Sequence, residues 1–322
     1  MIRIAVLALP GCVASSVSGP LDVFATANRA GRELGRDPGF AAEVVAMRPG
    51  PVMSFHNLQV MPQRVVDPGA RYDIILIPAV IGETEAVSSD RNAVDWLNAQ
   101  HGRGACVCAV CAGVFLLAAT GLLDGREATT HWALAEAFRI RYPLVRLTPE
   151  LLLSDLGDVV SAGGVTAYLD LCLHLAARFG SPEIAARVAK VLLVDPGRRS
   201  QEPYIVHSAP RGHGDAAVLR AQRWLEERLA GPVSLPDAAA AAGLGTRTLL
   251  RRFRRATGDT PLSYVVRLRI EAAKRLLETT PRTVEDLAAS VGYADACSFR
   301  ALFKARTGLT PGQYRARFSV LR

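Results

Sequence analysis

The feature that most constrains this 322-residue chain is an internal repeat in its last third. Asp237-Ala238-Ala239-Ala240 with Gly243 matches Asp286-Leu287-Ala288-Ala289 with Gly292 at an offset of 49. Past the glycine, Phe253, Thr257, Gly258, Thr260, Pro261 and Tyr264 match Phe303, Thr307, Gly308, Thr310, Pro311 and Tyr314 at an offset of 50. Such identities in register require two copies of one supersecondary unit. In the second copy, Leu287, Ala288 and Val291 fall on one face of a short helix over 284–291. Gly292 permits the positive φ of a tight turn, and Asp295 is placed to N-cap a helix running from Ala296 to about Arg306. Phe299, Leu302 and Phe303 occupy its inward face, leaving Ser298, Arg300, Lys304 and Arg306 polar. Two short helices across a glycine turn, the second with outward cations, describe a helix-turn-helix whose second helix enters a major groove.

Charge is segregated the same way. Residues 216–322 carry 19 Lys+Arg against 9 Asp+Glu, a net +10, whereas residues 1–215 carry 19 against 21, a net −2. All the excess positive charge therefore lies on the segment expected to face phosphates. In the first recognition helix, from Thr246 to about Thr257, Arg247 and Arg251 share a face at i and i+4. Both are candidates for guanine edges, with Thr248 beside them. Arg252, Arg254 and Arg255 are expected at phosphates or in solvent. In the second copy Cys297, Ser298 and Arg300 are the groove candidates, and Lys304 a phosphate contact.

The run Gly292-Tyr293-x-Asp295-x-x-Ser298-Phe299-x-x-x-Phe303-Lys304-x-x-x-Gly308-x-Thr310-Pro311-x-x-Tyr314-Arg315 closely resembles the signature of AraC-type transcription regulators. The resemblance covers residues 216–322, with Cys297 as a departure at the exposed start of the recognition helix. It implies two helix-turn-helix units joined by a long helix, Pro261 to about Glu278. They would read adjacent major-groove segments of double-stranded promoter DNA, with RNA polymerase as a further partner.

Ahead of this all-α domain, strands and helices alternate. Apolar strands are expected over 2–9, 40–47, 73–78 and 105–110, and hairpins over 50–62 and 151–162. Helices are expected from Pro20 to about Arg29, over 90–101, after Gly113, from Thr130, over 165–179 and from Pro182 to about Val194. That alternation predicts a mostly parallel α/β sheet with helices on both faces. The amino-terminal apolar run stops at Pro10 and reads as a strand rather than a signal peptide. No run reaches the ~18 apolar residues of a membrane span. The six cysteines lack zinc spacing and are expected as free thiols in a reducing cytoplasm. Linker composition over 207–214 divides the chain into a first domain at 1–200, a linker at 201–215 and the helix-turn-helix domain at 216–322.

In such a sheet ligands collect beyond the carboxyl ends of the strands. Those ends hold Ser15 and Ser16, Pro78 and Ala79, Cys111 and Ala112, and Gly163 and Gly164. Cys111 stands at a strand-to-helix turn like a nucleophile elbow, where a helix N-terminus would lower its thiol pKa. Ala-Val-Cys111-Ala-Gly113, Ala128-Thr-Thr-His131-Trp132 and Ser161-Ala-Gly163-Gly164-Val-Thr166-Ala-Tyr168-Leu-Asp170 resemble the PfpI-type domain, a flavodoxin-like, class I glutamine-amidotransferase-like fold. Together with the AraC-type tail, the chain resembles the GlxA-like regulators, whose first domain is regarded as a ligand sensor and in which dimers are expected. Enzymes of the PfpI type carry a Glu at the position of Ser16, and its peptidases a His at the position of Ala112. The expectation is a small-molecule effector site with Cys111 in its lining, no catalytic residues, no metal and no cofactor. The alternative is a PfpI-like hydrolase or glyoxalase, or a thiol redox sensor, using Cys111.

Overall fold

The first strand, Ile2–Ala8, shows why the amino-terminal half is layered. Ile4, Val6 and Ala8 face one apolar core, and Ala5 and Leu7 face another, as the two-residue period of a strand buried on both sides dictates. In this computed structural model, which describes all residues except 37, 83, 208–210 and 321–322, the chain forms two compact units. They are Met1–Gln201 and Glu202–Arg322.

The seven sheet strands of the first unit are, in chain order, β1 (Ile2–Ala8), β2 (Phe40–Ala46), β3 (Arg64–Val65), β4 (Ile74–Ile77), β5 (Cys106–Val110), β6 (Leu153–Asp155) and β7 (Val159–Ala162). They lie in the order β6-β7-β5-β4-β1-β2-β3. Every neighbouring pair is parallel except β6 and β7, which form the expected hairpin. Helices Ala14–Glu33, Ala167–Phe179 and Pro182–Val191 cover one face, and Arg91–His101 and Gly113–Ala119 the other. A small hairpin pairs Val52–Met53 with Gln59–Val60.

Two of the expected helices are placed differently, and the short strand Arg64–Val65, the helix Thr84–Ser88 and the paired strands Glu127–Ala128 and Arg146–Leu147 are not expected from the sequence. The first helix begins at Ala14, six residues ahead of Pro20, which lies inside it. Pro20 forgoes only the bond to the Ser16 carbonyl, while the extra turns bury Ser16 and Val17. At Thr130-His131-Trp132 a single 3₁₀ turn, Trp132–Leu134, precedes the α-helix Ala135–Arg141. His131 caps that turn, its Nδ1 accepting the Ala133 N–H at 3.1 Å.

In the second unit the repeat is structural down to single bonds. Ser234 and Thr283 cap the opening helices Leu235–Ala241 and Val284–Ser290. Gly243 (φ 68°) and Gly292 (φ 87°) make the turns. The second helices, Thr246–Thr257 and Ala296–Thr307, end on left-handed Gly258 and Gly308. Thr260 and Thr310 then cap the helices Pro261–Thr279 and Pro311–Phe318. The Tyr264 hydroxyl donates to Glu226 at 2.6 Å and the Tyr314 hydroxyl to Glu278 at 2.7 Å. Each ring meets its Phe edge-on, Phe253 at 5.3 Å and Phe303 at 5.4 Å. The long helix Pro261–Thr279 belongs to both halves, placing Tyr264 and Val265 in one core and Ile270, Ala273 and Leu277 in the other. Among the described residues no helix is long and apolar enough to cross a membrane.

Candidate functional site

The helix Thr246–Thr257 buries Leu249 and Phe253, which turns Arg247, Arg251, Arg254 and Arg255 outward into solvent. Thr248 is half-buried beside them. Arg252 is placed differently. Its guanidinium makes two bonds to Asp215, at 2.9 and 2.7 Å, and Asp215 in turn caps the helix Ala216–Glu227. Those contacts hold the Asp215 carboxyl down at about 2, the Arg252 hydrogen bond contributing most. Arg252 therefore ties the recognition helix to the first helix of its own unit.

In the second copy Cys297, Ser298, Arg300 and Lys304 are all exposed, but two of them are already engaged. The Ser298 hydroxyl donates to the capping carboxylate of Asp295 at 2.6 Å. Arg300 pairs with Glu285 of the preceding helix. The two recognition helices are thus chemically unequal: among the described residues the outward arginines of the first make no side-chain bond, whereas Ser298 and Arg300 of the second are engaged within their own unit.

Sequence reasoning missed a residue that bridges the two copies. Arg269, on the long helix, donates to the carbonyls of Leu229 at 2.9 Å and Gly231 at 2.6 Å. Its guanidinium also lies over the Tyr293 ring at 5.3 Å. A bare Arg in a basic helix gives no sign of such a role, because its partners are 38 and 40 residues away.

In the first unit, hydrogen bonds knit the loops at the carboxyl ends of the strands. Val13 N–H donates to Ala79 O at 2.8 Å. Ser16 is 1% exposed. Its hydroxyl donates to Val13 O at 2.7 Å and accepts the Ala79 N–H at 3.1 Å. Cys111 N–H donates to Ala162 O at 2.8 Å, and the Thr130 hydroxyl donates to Cys111 O at 2.7 Å. Pro78 and Ala112 are buried, whereas Ser15 is exposed and His131 and Gly164 are half-buried.

Cys111 has the positive φ of an elbow, 55°, which a non-glycine residue holds only under local strain. Its chemistry departs from the sequence expectation. Burial pushes the thiol up to about 11 rather than down, because the side chain is 4% exposed and faces apolar neighbours. Burial also lowers the His131 pKa. Space demands glycine at position 113, where a Cβ would overlap the Pro78 carbonyl, while a Cβ on Gly163 would displace the Gln201 carboxamide. Past the ends of β1 and β2 lies a cavity of about 460 Å³, lined among others by Leu9, Pro10, Met47, Arg48, Val52 and Asp90. None of the sequence-predicted ligand residues lines it. The loop Arg48–Pro51 that shapes it gave no signal beyond turn composition.

Comparison with known proteins agrees with both units. The DJ-1/PfpI family matches residues 2–178 and a helix-turn-helix domain matches residues 238–317. The HTH-type transcriptional regulator CdhR of Pseudomonas aeruginosa is 29% identical over 311 residues, covering 96% of this chain and 90% of the relative. The regulator GlxA of Rhizobium meliloti is 30% identical over 209 residues, or 65% of this chain and 64% of the relative. The isonitrile hydratase of Pseudomonas putida is 29% identical over 177 residues, 54% of this chain and 71% of that enzyme. An AraC family transcriptional regulator from Pseudomonas putida superposes with a TM-score of 0.50 at 21% identity, covering 60% of this chain and all of that one. On this evidence the chain belongs to the DJ-1/PfpI family and is an AraC-family DNA-binding transcriptional regulator.

Proposed function

We propose that the DJ-1/PfpI unit is a sensor that binds a small-molecule effector without turning it over, and that occupancy changes promoter binding or activation by the helix-turn-helix unit. The observation that carries this reading is the seat of Ser16. A hydroxyl already committed to Val13 and Ala79 can neither accept a proton from Cys111 nor hold an imidazole as a carboxylate would. The high thiol pKa supports the same reading, since the thiolate is the nucleophile. The effector lies over the loops around Cys111. Ser15, His131 and Gly164 offer contact, while Ser16, Pro78, Ala79, Cys111, Ala112 and Gly163 form the floor. The protein acts as a homodimer with RNA polymerase at the promoter, where Arg247, Thr248, Arg251, Cys297, Ser298, Arg300 and Lys304 meet DNA.

The strained elbow at Cys111 favours a second reading, an enzyme or thiol sensor targeted to DNA. Thermal unfolding of the full chain against amino acids, methylated amines, polyamines and keto acids separates the two. An effector at 100 times its Kd adds ~2.7 kcal/mol, is recovered unchanged, and still acts on Cys111→Ser. Consumption of the compound, lost in Cys111→Ser, would establish the enzyme instead.

A further inference from the structure

Gln201, the last residue of the first unit, is 3% exposed, although the sequence places it at the start of a polar linker. Its Nε2 lies 3.2 Å from Thr129 Oγ1, 2.8 Å from Thr130 O, 2.9 Å from Pro149 O and 3.0 Å from Leu151 O. Its Oε1 accepts the Trp132 N–H at 3.3 Å. Four oxygens around one atom and an N–H at the other fix which end of the amide is nitrogen. An amide nitrogen has two hydrogens to offer those four acceptors, so the seat is richer in acceptors than its occupant is in donors. Gly163 lacks a side chain where one would overlap this carboxamide. The chain thus fills, with its own side chain, a position between the Thr130 and Gly163 loops of the proposed effector site.

The residues that follow are tied to the DNA-binding unit. Glu202–Tyr204 form a 3₁₀ turn, and the Ile205 carbonyl accepts from Lys274 of the long helix. Lys274 is 4% exposed and is also paired with Glu271 at 2.9 Å. The Tyr204 ring meets Phe318 edge-on at 5.1 Å and lies under the Arg317 guanidinium at 5.3 Å. Four residues of continuous chain therefore run from a buried carboxamide in one unit to a buried lysine in the other.

We propose that Gln201 is a latch whose seat selects a hydrogen-bond-donating nitrogen. An effector bearing an amide or amine N–H displaces the carboxamide and loosens Glu202–Ile205 from the long helix. The proposal deepens the sensor reading and rests on it for the identity of the natural trigger, but its test requires no effector. In full-length Gln201→Ala, hydrogen exchange is expected to quicken about tenfold both at 149–152 and at 202–206. Acetamide, which replaces the deleted group, restores the slow exchange, whereas acetone, similar in size but without N–H, does not. By reciprocity, Lys274→Met quickens exchange at 149–152 as well as at 202–206. Faster exchange confined to the mutated side, or equal rescue by acetamide and acetone, would overturn the latch. Should Gln201→Ala fail to fold, the Lys274→Met arm decides alone. The metabolite screen is independent of these results, so a failed latch and a failed sensor are distinguishable.

Discussion

Arg251 and Arg252 are chain neighbours, and the structure separates them. Arg251 projects into solvent, so Arg251→Ala is expected to cost ~1–3 kcal/mol of specific DNA binding and to relax preference at one base pair. Equal loss on random DNA in a titration would assign it to the backbone. Arg252→Ala instead weakens the fold, by about 1–2 kcal/mol for a cap support and a partly screened ion pair. Its pH signature follows from Asp215. The folded pKa of about 2 lies below the ordinary 3.8. The stabilisation is therefore complete above about pH 4 and is lost as pH falls through about 2. Denaturant unfolding at several pH values should show a shallower acid slope in Asp215→Asn than in the wild type, the remainder coming from other lowered carboxylates such as Asp158 and Asp295. The repeat was legible at this scale because whole side chains recur in register. The Asp215–Arg252 pair was not, since nothing in a run of arginines says which one will meet a carboxylate 37 positions earlier. Gln201 was hidden for the same reason.

At the scale of elements, glycine serves two purposes that substitution can tell apart. Gly258→Ala meets no neighbour and pays only for a left-handed backbone, about 1 kcal/mol of stability. Gly113→Ala keeps ordinary backbone angles but drives a methyl into the Pro78 carbonyl, so it is expected to destabilise the first unit by more, ~1–3 kcal/mol. Thermal unfolding of the two variants checks the order. The alternation of strands and helices was readable because apolar runs of strand length alternate with amphipathic helical ones. The start of the first helix was not, because small residues from Gly11 to Ser18 look like a loop until Ser16 and Val17 find cover. Cys111 was likewise read as an elbow from its neighbours, while the burial that raises its thiol depends on segments far away in sequence.

At the scale of the whole molecule, the charge separation seen in composition becomes a surface property of one unit. Its binding to DNA should weaken steeply with salt. Arg254→Ala and Arg255→Ala, if they meet phosphates, each lower the slope of log K against log[salt] by about 1, with sequence preference unchanged. Arg269→Ala makes the opposite trade. Its loss frees the Leu229–Gly231 segment from the Tyr293 turn. Selection from random DNA should then return a broader range of spacings between the two sub-sites, with each sub-site intact. The helix Pro261–Thr279 gives this arrangement a consequence for inheritance. Since one helix supplies a wall of both cores, a gene cut between the copies would yield no half-length reader, only two fragments with an open apolar face. If Arg247 and Arg251 meet base edges as proposed, a change of operator is expected to come through such outward side chains rather than through exchange of a whole module.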